Sequence, residues 1–337
     1  MKHLVAAVFA LLAALLLGFV VLWILHVPPL DACKGMLALC WARKMDTAAK
    51  ALVLCLLGTG ISVAFRAGFW NVGAEGQLCV GAIAAAGIGL YVAPASLWPA
   101  PWLWTALALV AGTLAGAFWC LGPALVRAKW QVSEVVTTLM LVYVAKRLLE
   151  YLYLGPWRDP QGYGFPGSAP LSASLHVSLV WIAILTGVGA IICALLVKKT
   201  VIGFEMSVLS ESRDVARYGG IHVGRCLAIV GMISGGLAGL AGAVQVTGTA
   251  GRLISGISVG DGFTAIIIAC LAGRHPLGVL IVAPFWAMLK VGAEDLEVSY
   301  QIPQAFSTAL EGICLLCWLT SVWIGRRWFR RFRGNLT

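Results

Sequence analysis

Between two long apolar runs stands the segment Phe65-Arg66-Ala67-Gly68-Phe69-Trp70-Asn71-Val72-Gly73-Ala74-Glu75-Gly76-Gln77, which gathers a base, an acid, two amides and three glycines. Glycines there free the backbone from regular structure, and the polar side chains bring hydrogen-bonding groups to membrane depth. An ionisable group at that depth costs roughly 2.5–3.5 kcal/mol on insertion scales, so it faces a cavity or a partner. The chemistry on offer is recognition: Asn71, Glu75 and Gln77 lining a path for a polar ligand, with Phe69 and Trp70 stacking on a flat ring. A second reading has Arg66 and Glu75 bracing the helix break or facing water.

A second break, Thr247 to Gly262, is similarly rich in glycine and continues into Phe263-Thr264. Ser255, Ser258, Asp261 and Thr264 face the same pathway on one reading and belong to a simple outer loop on the other. A third polar stretch, Lys198 to His222, has helix-forming spacing from Glu205 to Tyr218. Ser210 is the expected N-cap before Glu211-Ser212-Arg213-Asp214, with Gly219-Gly220 as the stop. A short helix of this kind between two spans suits the docking of a partner; the alternative is a solvated connector. Lys146, Arg147 and Glu150 late in another apolar run are expected to relieve one another by i,i+4 and i,i+3 pairing.

The elements that must position these groups follow from composition. Of 337 residues, 61% are hydrophobic and 11% charged, with mean hydropathy +0.93. Soluble domains carry about 25% charged residues, and a lipid-facing surface explains the difference. The reading is an all-α polytopic membrane bundle of about ten segments: 4–26, 47–65, 77–93, 101–121, 134–153, 175–197, 223–246, 261–273, 277–291 and 304–324. The first is too long and lacks the ending of a cleaved signal peptide, so it reads as a retained anchor. The segments at 261 and 277 are short for a lone crossing.

An even number of crossings places both termini on one side, together with Arg127, Lys129, Lys198, Lys199, Arg213, Arg217, Arg225 and the Arg326–Arg333 cluster. By the positive-inside rule that side is cytoplasmic. Residues 31–50, with Lys34, Arg43, Lys44 and Lys50, dissent; an interfacial segment would account for them. The domain plan is one transmembrane domain: anchor and outer segment (1–46), first half (47–153), cytoplasmic loop (198–222), second half (223–325) and basic tail (326–337). The halves run in opposite senses, each interrupted near its start, as in inverted-repeat transporters.

Several motifs resemble one family in order along nearly the whole chain after the first segment. They are Arg66-Ala67-Gly68 through Asn71-Val72-Gly73-Ala74-Glu75-Gly76-Gln77, Glu134-Val135-Val136-Thr137-Thr138-Leu139-Met140, Gly155-Pro156 with Arg158-Asp159-Pro160, and Gly203-Phe204-Glu205 running to Ala216-Arg217-Tyr218-Gly219-Gly220-Ile221. Ser234 to Gly242 and Gly273-Arg274-His275-Pro276-Leu277-Gly278 complete the set. The sequence resembles the permeases of branched-chain amino acid and simple-sugar type ABC importers, in their nucleoside-importer branch. That resemblance implies a bacterial inner-membrane importer of nucleosides or related polar heterocycles or sugars. It further implies ABC ATPase partners carrying ATP and Mg, a second permease forming a heterodimer, and an external substrate-binding lipoprotein. Within the loop, Gly203, Glu205, Glu211, Asp214, Ala216, Arg217, Gly219 and Ile221 are the implied ATPase-coupling residues. The loop departs from the family where Ser207-Val208-Leu209-Ser210-Glu211-Ser212 replaces the commoner Arg-Ala-Val-Gly-Glu-Asn run.

The residues themselves add exclusions. No G-x-x-x-x-G-K-[ST] occurs, so energy from ATP must come from another chain. The five histidines are dispersed, and no H-E-x-x-H appears, which argues against an enzyme and leaves this chain without a cofactor. Ten cysteines scattered through apolar segments read as packing, Cys314 and Cys317 included. The net charge of +10 sits in loops and at the C-terminus rather than on one basic face, so no nucleic acid is expected. An ion-coupled secondary transporter using Glu75, Glu150 and Asp261 is the alternative.

Overall fold

The computed structural model describes residues 12, 16–20, 22–24, 26–92, 101–162, 164–171, 175–302 and 305–334. Most of the anchor segment 4–26 lies outside the described residues, as do the side chains of residues 322–334, the arginines of the tail among them. Within the described residues the chain is helical, with no named strand, only isolated bridges at Arg158–Ser168 and Gly167–Ile254. The helices are α1 (Pro29–Ala42), α2 (Lys44–Arg66), α3 (Ala74–Gly87), α4 (Pro101–Trp130), α5 (Glu134–Leu154), α6 (Leu179–Lys199), α7 (Val201–Glu211), α8 (Arg213–Tyr218), α9 (Val223–Gln245), α10 (Asp261–Leu271), α11 (Pro276–Tyr300) and α12 (Ala305–Gly334). Five-residue π turns, Ile88–Val92 and Val246–Ala250, extend α3 and α9.

Among the described residues, six helices, or up to seven when the bent pair at the start is joined, are long and apolar enough to cross a membrane. Every expected segment from 47 onward has its helix, so the chain is a multi-pass all-α membrane protein. Burial separates the roles of the spans. The apolar window of α2 is 83% buried, whereas that of α6, the most hydrophobic at 2.6, is only 33% buried. A soluble protein would not leave its most apolar helix outermost; in a bilayer the exposed Trp181, Ile184, Ile191 and Leu195 meet lipid.

The centre is α9, packed on α4, α3 and α2. Small residues permit the approach. A Cβ on Gly239 would stand 2.2 Å from the Gly112 carbonyl oxygen of α4, and one on Gly235 would stand 2.4 Å from that of Gly116. Without hydrophobic driving force between helices in lipid, such backbone contact supplies the packing energy.

Two expectations about the polar segments change. Residues 29–42 form a helix rather than a loop, and α1 packs on α11, where Cys40 donates to the Met288 carbonyl. Three of the four bases that violated the orientation rule are in ion pairs: Lys34 with Asp31, Arg43 with Asp46 and Glu294, Lys50 with Asp261. The loop at 198–222 is two helices rather than one. Ser212 is extended (φ −157°, ψ 126°) and its side chain caps α8 by accepting from the Val215 N–H, while Thr200 caps α7 through the Gly203 N–H. Ser210 is no cap, because its hydroxyl donates to the Ser207 carbonyl at 2.8 Å. Gly219 ends α8 as expected and Gly220 turns the chain at φ +80°.

Candidate functional site

Both breaks re-enter the bundle. After α2 ends beside α7, the chain returns through Phe69-Trp70-Asn71 so that α3 begins inside. There Asn71 and Gln77 exchange paired amide hydrogen bonds at 2.9 Å, and the Asn71 Nδ2 also donates to the Ser234 hydroxyl of α9 at 2.9 Å. Ser234 is the twelfth residue of α9, about 17 Å from its start at 1.5 Å per residue, close to half the thickness of a bilayer core. All three side chains are buried, so each amide needs these partners.

One turn along, the fully buried Glu75 joins the two breaks. Its Oε1 accepts from the Gly260 N–H at 2.8 Å and pairs with the Lys146 ammonium at 3.0 Å; its Oε2 accepts from the Gly262 N–H at 2.7 Å. The carboxylate therefore satisfies the exposed N–H groups at the start of α10 and complements the positive end of that helix dipole. Gly260 supplies the left-handed turn (φ +77°), and Gly262 lies against the Glu75 backbone with no room for a side chain.

On the other side of the same turn, buried Asp261 pairs with Lys50 of α2 at 2.6 Å and Lys290 of α11 at 3.1 Å. Lys290 also lies 3.9 Å from Glu311 of α12, and Glu311 accepts from the Thr264 hydroxyl at 2.7 Å. Lys50 and Lys290 line a cavity of about 310 Å³ that occupies the end of the bundle opposite α7 and α8. Gln245, Thr249 and residues 254, 256 and 257 line it from the α9 side, and Arg43, Asp46 and Glu294 from the rim. The Oε1 of Gln245 is enclosed and accepts no hydrogen bond.

The nine residues named from sequence thus do not form one site. Asn71, Glu75 and Gln77 gather in the interior, Asp261 and Thr264 join them across Glu75, and Ser255 and Ser258 lie in the turn that borders the cavity. Phe69 is fully buried in the core near α7. Trp70 sits at that same end, its ring 4.6 Å from that of Phe65 and 6.0 Å from the Arg274 guanidinium, with its backbone N–H donating to Glu134 Oε1 at 3.5 Å. The expected Lys146–Glu150 pair is replaced: Arg147 takes Glu150 on the exposed face, and Lys146 turns inward to Glu75. Glu150 thus pairs with Arg147, apart from the ion pairs of Glu75 and Asp261. Sequence reasoning did not name Lys50, Lys146, Lys290, Glu311, Ser234 or Gln245 as site residues. Lys290 and Glu311 carried a signal, each being a lone charge within an apolar run.

Of the residues expected to couple to an ATPase, Gly203 and Ala216 are buried, Glu205 and Ile221 half-buried, and Glu211, Asp214, Arg217 and Gly219 exposed. A Cβ on Gly203 would stand 2.3 Å from the Val197 carbonyl oxygen, which is how α7 folds back against the end of α6. Met206 and Ala216 anchor the two helices in the core, leaving Tyr218 97% exposed at the tip.

A family model, that of the branched-chain amino acid transport system permease component, matches residues 45–319. The chain is 32% identical to the glucose ABC transporter permease protein TsgB13 of Haloferax volcanii, over 98% of this chain and 89% of the relative. It is 30% identical to the guanosine ABC transporter permease protein NupP of Bacillus subtilis, over 77% and 76%. To the nucleoside ABC transporter permease protein NupB of Lactococcus lactis it is 28% identical, over 71% and 69%. No solved structure matches. With inverted breaks meeting inside a helical bundle and a family match over most of its length, the chain belongs to the permease components of the branched-chain amino acid type of ABC transport system, as the membrane-embedded subunit rather than an enzyme.

Proposed function

We propose that this permease carries a nucleoside, or a related neutral polar ring compound, into a bacterial cell. The observation that carries the ligand class is the wall of the cavity, where every charged side chain is already in an ion pair: Arg43 with Asp46 and Glu294, and Lys50 and Lys290 with Asp261. An amino acid zwitterion needs a free cation and a free anion together, whereas a neutral nucleoside needs donors and acceptors only. Gln245 and the backbone of residues 254–257 supply those. The volume is at the small end of the range of about 300–1,000 Å³ typical of ligand pockets. Relatives named for guanosine and nucleosides support the choice of a nucleoside.

In this reading the α7–α8 end is cytoplasmic, as are both termini, and the cavity opens outward in the inner membrane. An external binding lipoprotein delivers the ligand to the cavity. A second permease chain completes a heterodimer, and an ATPase binding ATP and Mg docks on Glu205, Glu211, Asp214, Arg217 and the protruding Tyr218. Asp261, Ser258, Thr264 and Gln245 border the path, and Glu75 and Asn71 hold its inner wall.

The test is uptake of labelled adenosine by cells expressing the full importer, with unlabelled guanosine, glucose and leucine as competitors. Competition by guanosine alone supports the reading. Competition by glucose alone would replace the nucleoside with a sugar, and competition by leucine would overturn the argument from paired charges.

A further inference from the structure

We propose that Glu75 is the positioning residue through which the ATPase dock moves the floor of the cavity. The inference rests on reading α7 and α8 as that dock. A continuous set of contacts runs from one to the other. The Ser210 backbone of α7 lies 3.2 Å from where a Cβ on Gly68 would stand, at the start of the first break. That break carries Asn71, tied to α9 through Ser234, and ends at α3 with Glu75. Glu75 grips the N–H groups of Gly260 and Gly262, and Asp261, between them, holds Lys50 and Lys290 in the cavity wall.

The grip is built to transmit motion. Both carboxylate oxygens are engaged, at 2.7–3.0 Å, and hydrogen bonds of this length do not survive a shift of about 1 Å, so α3 and the start of α10 move together or the bonds break. Three donors converge on the group, two backbone N–H and one ammonium, so it must act only as an acceptor. A glutamine of the same shape would turn its NH2 toward one of those donors.

The experiment uses the complete importer in proteoliposomes with Thr249→Cys as a reporter in the cavity, labelled by a membrane-impermeant maleimide, and with the same complex lacking the reporter as background for the native thiols. It compares the Glu75→Gln variant, the charge-balanced pair Glu75→Gln with Lys146→Met, and the unmodified Glu75 background. ATP trapping is expected to change the labelling rate roughly tenfold with Glu75 present, within the range usual for coupled sites. In both Gln variants that change is lost while the ATPase still co-purifies and hydrolyses ATP. An ATP-dependent change that persists in Glu75→Gln overturns the proposal, as does failure of both Gln variants to assemble, which assigns Glu75 to folding alone. Absence of any ATPase from the unmodified complex overturns the docking reading beneath it. Labelling reads the motion without ligand, so failure of adenosine uptake stays a separate result.

Discussion

Replacing Gly262 by alanine adds one methyl group at the closest approach of the two breaks. That methyl would stand 2.3 Å from the Glu75 amide nitrogen and 2.6 Å from its Cα, where ordinary contact is 3.4–4 Å. Backbone cannot swing aside as a side chain can, so α10 must withdraw from α3 by about 1 Å. The 2.7 Å hydrogen bond from the Gly262 N–H to Glu75 then opens beyond hydrogen-bonding range. Loss of a hydrogen bond to a charged acceptor costs about 1.5–3 kcal/mol, and overpacking a close-packed site costs about 1–3 kcal/mol. A combined destabilisation of about 3–5 kcal/mol is expected, which is a large part of the stability of an ordinary domain. The assay is detergent-based unfolding of the purified chain followed by tryptophan fluorescence. Gly256→Ala is the matched control in the same break, since nothing lies within 4 Å of its added methyl, and its expected effect is within about 0.5 kcal/mol. If Gly262→Ala unfolds together with the wild type and the control, the two breaks are not in contact and the site described here is wrong.

Asp261→Asn keeps the volume and removes the charge between Lys50 and Lys290. Breaking a buried pair costs about 3–5 kcal/mol, but both lysines reach the cavity, so about 2–3 kcal/mol is expected. Adding Lys50→Met should recover part of that loss in the same unfolding assay, and no recovery would show that the charges act independently. His275 caps α11 by accepting the Leu277 N–H on Nδ1, which only the neutral ring can do. Burial, then the charges of Lys198 and Arg66, hold its pKa below the ordinary value. A lowered folded pKa means the cap is fully effective above about pH 6.5 and is lost as pH falls through the folded value. Hydrogen-exchange protection at the first turn of α11, taken relative to the intrinsic amide rates at each pH, should therefore fall with acid, and His275→Asn should abolish that dependence; protection that stays constant with pH in the wild type would refute it.

Much of the architecture was legible because lipid imposes a length and a polarity on each span. Spans from residue 47 onward, both breaks and the helical docking segment follow from runs of apolar residues and the glycines between them. Helix 29–42 was missed because residues 31–50, with four lysines and arginines, looked like solvated loop, whereas the structure pairs Arg43 with Glu294, some 250 positions away. Ser212 rather than Ser210 caps α8 because the chain bends between two helices, a bend that propensity does not encode. Lys146 and Arg147 are neighbours with the same charge, and the helix turns one inward to Glu75 and the other outward to Glu150.

By itself the sequence determined the class of solvent, the order of the apolar spans from residue 47 onward, the two places where they break, and the family. These are properties of local composition, since each span must satisfy its own backbone in lipid. Only the tertiary structure decided which polar groups meet. Glu75 and Gly262 are 187 positions apart, and Asp261 lies 211 from Lys50; a buried charge takes whichever opposite charge or N–H the packing brings within about 3 Å. That choice made Glu75 and Gly262 the joint between the two breaks, and it brought Lys50 and Gln245 into the cavity wall, a placement no spacing revealed.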